Sequence, residues 1–213
     1  MRIRSLQTIL PVILLLFTSG TGDEGIRIGK QTWMNRNLEV EQFSNGTRIK
    51  QAKTEDEWLD AGAKGEPVWC YYEFDDKLGK PYGKLYNWYA VSHPSGLAPS
   101  GWRIPEVDDY LKLMEEFGGK DSCALVLKNT DGWSGRKKGN GSNASGFSAL
   151  PGGMVDDAGW FGLEGYFGGW WTASTDSTGK PVMVGLDFAH TGATFTSEDK
   201  SFGYAVRCIQ GKQ

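Results

Sequence analysis

The chain has 213 residues, with 23 lysines and arginines against 26 aspartates and glutamates and a formal net charge of −3. That balance excludes the basic face by which nucleic-acid binders are recognised, and the length suits one hydrophobic core. Nine tryptophans, eight tyrosines and ten phenylalanines beside thirty glycines combine large rings with turn residues, as in long loops whose ordering entropy is offset by aromatic anchors.

Arg2 and Arg4, an apolar run from Leu10 to Phe17 and small residues from Thr18 to Gly22 come in the order of a secretory signal. The run is too short to span a bilayer, so residues 1–22 are expected to be a cleaved signal and residues 23–213 one exported domain. A lipoprotein signal would place a cysteine after Ser19-Gly20, where Thr21 stands. The expected product is therefore periplasmic, extracellular or at the cell surface, with no lipid anchor through the signal and no membrane span.

Ile26 and Ile28, the Gly29-Lys30 turn and residues 31–38 predict two short strands, and Asn45-Gly46 marks a further hairpin turn. Thr54 followed by Glu57 is a capping-box pattern, predicting a helix over residues 55–61 with Gly62 as its stop. Residues 68–74 are apolar and aromatic and predict a buried strand, followed by a polar loop over residues 75–81. After an aromatic connector, Pro105 opens a helix on which Val107, Tyr110, Leu111, Met114 and Phe117 form one apolar stripe, ended by Gly118-Gly119. Over residues 131–169 periodicity vanishes, and glycine, asparagine and serine surround isolated rings. That predicts a long loop region, the first place to seek a site. Alternation at Val182, Val184, Leu186 and Phe188, then at Phe202, Tyr204, Val206 and Cys208 around a Thr191-Gly192 turn, ends the chain in strands. The sum is α+β with more strand than helix.

Four sets of segments carry a resemblance: Ile28-Gly-Lys-Gln-Thr-Trp-Met-Asn-Arg-Asn-Leu38; Val68-Trp-Cys-Tyr-Tyr72; Gly83-Lys-Leu-Tyr-Asn-Trp-Tyr-Ala-Val91 with Leu97-Ala-Pro-Ser-Gly-Trp-Arg-Ile-Pro105; and Phe147-Ser-Ala-Leu-Pro-Gly-Gly153 with Gly169-Trp-Trp-Thr-Ala-Ser174 and Val206-Arg-Cys208. Together they resemble the Fibrobacter succinogenes major paralogous domain, a family of secreted or surface bacterial proteins, over residues 25–209. The resemblance implies a C-type-lectin-like fold. In that fold strands from both chain ends pair, two helices flank antiparallel sheets, and a long loop region rests on a second small sheet. The Gly101–Pro105 helix start, the paired tryptophans and the last Arg-Cys strand are also similar to formylglycine-generating enzymes. Neither likeness supplies a function, since one fold hosts many activities.

Three cysteines in an exported chain predict one disulfide and one thiol left over. Cys70 and Cys208 lie in the segments that carry the resemblance and Cys123 does not, so the resemblance pairs Cys70 with Cys208; two buried thiols that never meet are the competing possibility. Formylglycine-generating enzymes use two close cysteines on their late loops, and Cys208 has no such neighbour. Cys123 precedes the apolar run Ala124 to Leu127, which raises rather than lowers a thiol pKa. His93 and His190 are lone turn residues without the motif of a catalytic relay or a zinc site.

Carboxylates cluster at Glu73, Asp75 and Asp76, at Asp156 and Asp157, and at Asp176. Calcium requires six to eight oxygens, and the loop motifs of calcium-dependent lectins are absent, so no cofactor is expected and calcium is a candidate without a motif. Trp160 and Phe161, beside Asp156 and Asp157 and flanked by Gly159 and Gly162, form the best recognition patch, with Asp176 as a further ligand residue. A ring face can stack on a sugar while carboxylates accept its hydroxyls. Trp88, Trp102, Trp170 and Trp171 are assigned to the core. The expectation is a non-enzymatic binding or adhesion module, with glycan as first-choice ligand and a surface protein as second, ahead of an enzyme related to the formylglycine generators.

Overall fold

The computed structural model describes residues 25–134 and 139–211; the expected signal lies outside them. Two strands, β1 (Gly25–Ile28) and β2 (Gln31–Met34), form an N-terminal hairpin. An antiparallel bridge between Gln42 and Arg48 encloses the Asn45-Gly46 turn before β3 (Lys50–Gln51). Helix α1 (Glu55–Lys64) is followed by β4 (Val68–Cys70), a 3-10 turn at Tyr72–Phe74 and α2 (Asp76–Gly79). Next come β5 (Leu85–Asn87), α3 (Trp88–Val91), β6 (Trp102–Arg103), α4 (Val107–Glu115) and α5 (Ala124–Leu127). The remainder is strand: β7 (Gly152–Val155), β8 (Phe161–Glu164), β9 (Phe167–Thr175), β10 (Pro181–Asp187), β11 (Ala193–Ser197), β12 (Gly203–Tyr204) and β13 (Ile209–Gln210).

The architecture is α+β. One sheet runs β1-β2-β13-β6, and a larger one runs β11-β10-β9-β7-β12-β5-β4-β3 with β8 attached to β7. Ile209 of β13 stands opposite Trp33 of β2, so the N-terminal hairpin and the last strand share one sheet. Pairing is antiparallel except between β3 and β4 and between β7 and β9.

Several elements differ from expectation for identifiable reasons. Helix α1 passes through Gly62 and stops at Gly65, whose φ of 68° is left-handed and whose N–H reaches back to Ala61 and Gly62 carbonyls. Gly62 is instead a close-packing position, since a Cβ there would lie 3.0 Å from Ser201. The expected strand over residues 68–74 ends at Cys70, because Glu73 and Phe74 adopt φ of 55° and 54°, and the expected polar loop contains α2, capped by Asp75. The region 131–169 contains β7 and β8 and the first part of β9. On α4 the buried stripe is Tyr110, Leu113 and Met114, and β11 lies between the two expected C-terminal strands.

Successive side chains of β9 point to opposite faces, and this separates two cores. Trp170 packs with Trp33, Tyr110 and Phe147, whereas Trp171 packs with Trp69, Tyr86 and Tyr204. A third cluster lies beneath α1, around Trp58, Cys70, Val155 and Phe161. Trp88 and Trp102, expected in the core, are only half-buried.

The same alternation overturns the Cys70–Cys208 disulfide. Trp69 faces the core that holds Cys208, so its neighbour Cys70 faces the α1 cluster on the other side. Cys70, Cys123 and Cys208 are all buried, and no disulfide joins them.

At the centre sits Arg207, fully buried. Its Nε and Nη2 donate to Asn37 Oδ1 at 3.1 and 2.7 Å, and its Nη1 donates to the Phe147 carbonyl, with the guanidinium 4.5 Å above the Phe147 ring. Trp170 Nε1 donates to the same Asn37 oxygen at 2.8 Å, while Asn37 Nδ2 donates to the Tyr82 carbonyl at 2.8 Å. Burial pushes the Arg207 guanidinium down to about 10, and this hydrogen-bond set keeps the charge tolerable inside.

Candidate functional site

The β7–β8 hairpin presents the expected recognition patch and divides its residues between turn, core and surface. Asp156 Oδ1 accepts from the N–H groups of Ala158 and Trp160, each at 2.9 Å, and the Asp156 carbonyl accepts from Trp58 Nε1 at 3.2 Å. This carboxylate therefore builds the turn, as aspartate does where its side chain mimics a backbone acceptor. Asp157 is exposed at the turn. Phe161 is buried, edge-on to Tyr72 and Phe74 at 5.2 and 4.7 Å between ring centres.

Trp160 faces the other way and is 60% exposed. Its ring lies across Gly162, two residues along the same face of the strand. A Cβ at Gly162 would come within 2.1 Å of the indole, so glycine is what lets the ring lie flat there.

Beside this ring is a concavity of about 430 Å³, bounded by Trp160, Phe161, Phe74, Glu55, Glu73 and the 158–159 turn. That size lies within the range of small-molecule sites. Three separate elements supply its wall. Glu55 is the first residue of α1, fixed where Thr54 Oγ1 accepts from the Glu57 N–H at 3.3 Å, and its stem crosses Gly159. Glu73 and Phe74 come from the 3-10 turn, where two consecutive left-handed residues cost about 1–3 kcal/mol each. The packing of Phe74 on Phe161 holds that turn in place. Among the described residues neither Glu55 nor Glu73 forms an ion pair or a side-chain hydrogen bond, and no basic side chain lines the cavity.

Asp176 is not part of this constellation. It closes the β9–β10 turn, where its Oδ1 accepts from the Thr178 hydroxyl and N–H at 2.7 and 2.8 Å and from the Lys180 N–H at 3.1 Å. Those bonds, the Thr178 hydroxyl first, hold its carboxyl far below the usual range. A cavity of about 260 Å³ beside that turn is lined by both signs of charge, Lys180 and Lys200 with Glu198 and Asp199.

A larger concavity, about 630 Å³, is lined by Phe43, Leu97, Pro99, half-buried Trp102 and neutral polar groups such as Gln42. Next to it His93 stacks on Phe43 at 4.1 Å and accepts from the Ser95 N–H at 3.2 Å. His190 Nδ1 sits 2.6 Å from Asp187 Oδ2 at an exposed turn. Burial pushes the Cys123 thiol up to about 11, which leaves little thiolate at neutral pH. Among the described residues no three His, Cys, Asp or Glu side chains are grouped to hold a metal, and no helix is long and apolar enough to cross a membrane.

Sequence reasoning located Trp160, named Glu73 only within an acidic cluster with Asp75 and Asp76, and missed Glu55 and Phe74. Glu55 was legible only as the start of a helix, and nothing local signals that residues 73 and 74 turn toward a hairpin more than eighty positions downstream. The family model described as Fibrobacter succinogenes major domain matches residues 26–210. No curated protein and no solved structure matches the chain.

Proposed function

We propose that this chain, which belongs to the Fibrobacter succinogenes major domain family, is an exported carbohydrate-binding module of C-type-lectin-like fold whose ligand rests on Trp160. Export is supported by the secretory order of residues 1–22. The lectin-like comparison is supported by the pairing of β13 with β2 and by the loop-borne cavity.

One observation carries the choice of site. Trp160 is 60% exposed, whereas every other tryptophan is buried or half-buried. A large ring kept in water and backed by glycine offers a flat apolar face, and the adjoining carboxylates offer acceptors for hydroxyl groups. A glycan array followed by titration of the hits tests the assignment. Trp160→Ala should abolish binding with an unchanged melting temperature, and undiminished binding of every hit would refute it.

A further inference from the structure

Resting on the carbohydrate assignment of the Trp160 cavity, we infer that its ligand is a cationic sugar, an amino-sugar oligomer with protonated amines. Three cavities among the described residues differ in charge. The groove along residues 97–102 is lined by neutral side chains, and the cavity at the β9–β10 turn mixes lysines with carboxylates. Of these three, the Trp160 cavity alone has acids as its charged lining, Glu55 and Glu73, with Asp157 exposed on the adjoining turn.

Charge and ring act together on such a ligand. A carboxylate accepts a charge-assisted hydrogen bond from an ammonium that is roughly twice as strong as one from a neutral hydroxyl. Tryptophan is also the best aromatic partner for a cation held over its face. Anionic sugars meet two like charges with no basic residue to offset them. A bare divalent cation is poorly served, because two carboxylates fall short of the six to eight oxygens calcium takes. A lysine side chain brings the same ammonium on a flexible stem that loses rotamer freedom when bound. An amino sugar presents amine and flat ring as one rigid unit, matching a wall that is itself one flat ring between two acids.

Titration calorimetry of the protein with four probes tests this: a glucosamine tetramer, its fully N-acetylated counterpart, a glucose tetramer and trilysine. The glucosamine tetramer should bind about tenfold more tightly than the N-acetylated one, two exposed carboxylates each contributing about two- to fivefold. That preference should shrink as salt rises. Glu55→Gln and Glu73→Gln should each remove about two- to fivefold of it while leaving the melting temperature unchanged. N-acetylated or glucose tetramer binding as tightly as glucosamine overturns the cationic assignment and leaves the carbohydrate one standing. Failure of all three sugars overturns both, and trilysine binding more tightly than the glucosamine tetramer overturns the choice of a sugar.

Discussion

Around Arg207 all three guanidinium nitrogens donate to protein oxygens, and Asn37 uses both ends of its amide. At the Trp160 rim two carboxylates form no side-chain hydrogen bond or ion pair among the described residues, and the indole is 60% exposed. Dry surroundings explain the contrast: a buried charge must be satisfied by the chain itself, which ties every neighbour to one geometry. An exposed carboxylate is satisfied by water and stays available to a ligand. The buried residues of the hub are committed to folding, and specificity is to be sought in the exposed residues of the rim.

The largest effect is expected at the hub. Asn37→Ala removes the acceptor shared by Arg207 and Trp170 and leaves a buried cation short of partners, at a cost of about 3–5 kcal/mol. Denaturant unfolding measures it, and a loss below about 1 kcal/mol would mean that water or backbone movement replaces Asn37 and that the hub is not the fixed element described.

Between hub and rim lies the Arg103–Asp109 pair, with Nη1 and Nη2 of the arginine 2.6 and 2.8 Å from the two carboxylate oxygens. Burial raises the Asp109 carboxyl, but Arg103 and the Glu106 N–H, 2.8 Å from Asp109 Oδ2, outweigh it and hold the group below its usual 3.8. A depressed folded value stabilises above the unfolded pKa and is lost as pH falls through the folded one. Asp109→Asn should therefore cost about 1–2 kcal/mol at neutral pH, with the gap between variant and parent closing progressively below pH 3.8. A gap that stays constant down to pH 2 would show that Asp109 acts only as a helix cap.

The same division explains what was legible in the sequence. Strand pairs with a tight turn, such as Gly29-Lys30, and helix starts with a capping residue, such as Thr54, are fixed by neighbours in the chain and were readable. Gly62 and Gly65 are both glycines able to end α1, and only the structure shows the left-handed cap falling at Gly65; whether Cys70 meets Cys208 depends on which face of β4 each core occupies, which has no local signal. Trp160 was readable as a ring among glycines. Asp156 was readable as an acid, but only the hairpin shows its carboxylate engaged with Ala158 and Trp160. The left-handed turn at Glu73 and Phe74 had no glycine or asparagine to announce it.

The smallest change in stability, and the sharpest separation of rim from hub, is expected at Gly162. A methyl group there would meet the far edge of the Trp160 ring, which is exposed and free to swing away, so no packed interior has to yield. The backbone is ordinary strand opposite Met154, and alanine reduces the unfolded chain's freedom relative to glycine. Gly162→Ala should therefore leave stability within about 0.5 kcal/mol of the parent. Sugar binding should nevertheless fall nearly as far as in Trp160→Ala, because the ring can no longer lie against the strand at the angle that flanks Glu55 and Glu73. Calorimetric titration and thermal melts on the one variant give both readouts. Intact binding would show that the pose of the indole over Gly162 does not matter, whereas lost binding with a large drop in melting temperature would place Gly162 with the hub, among residues committed to folding.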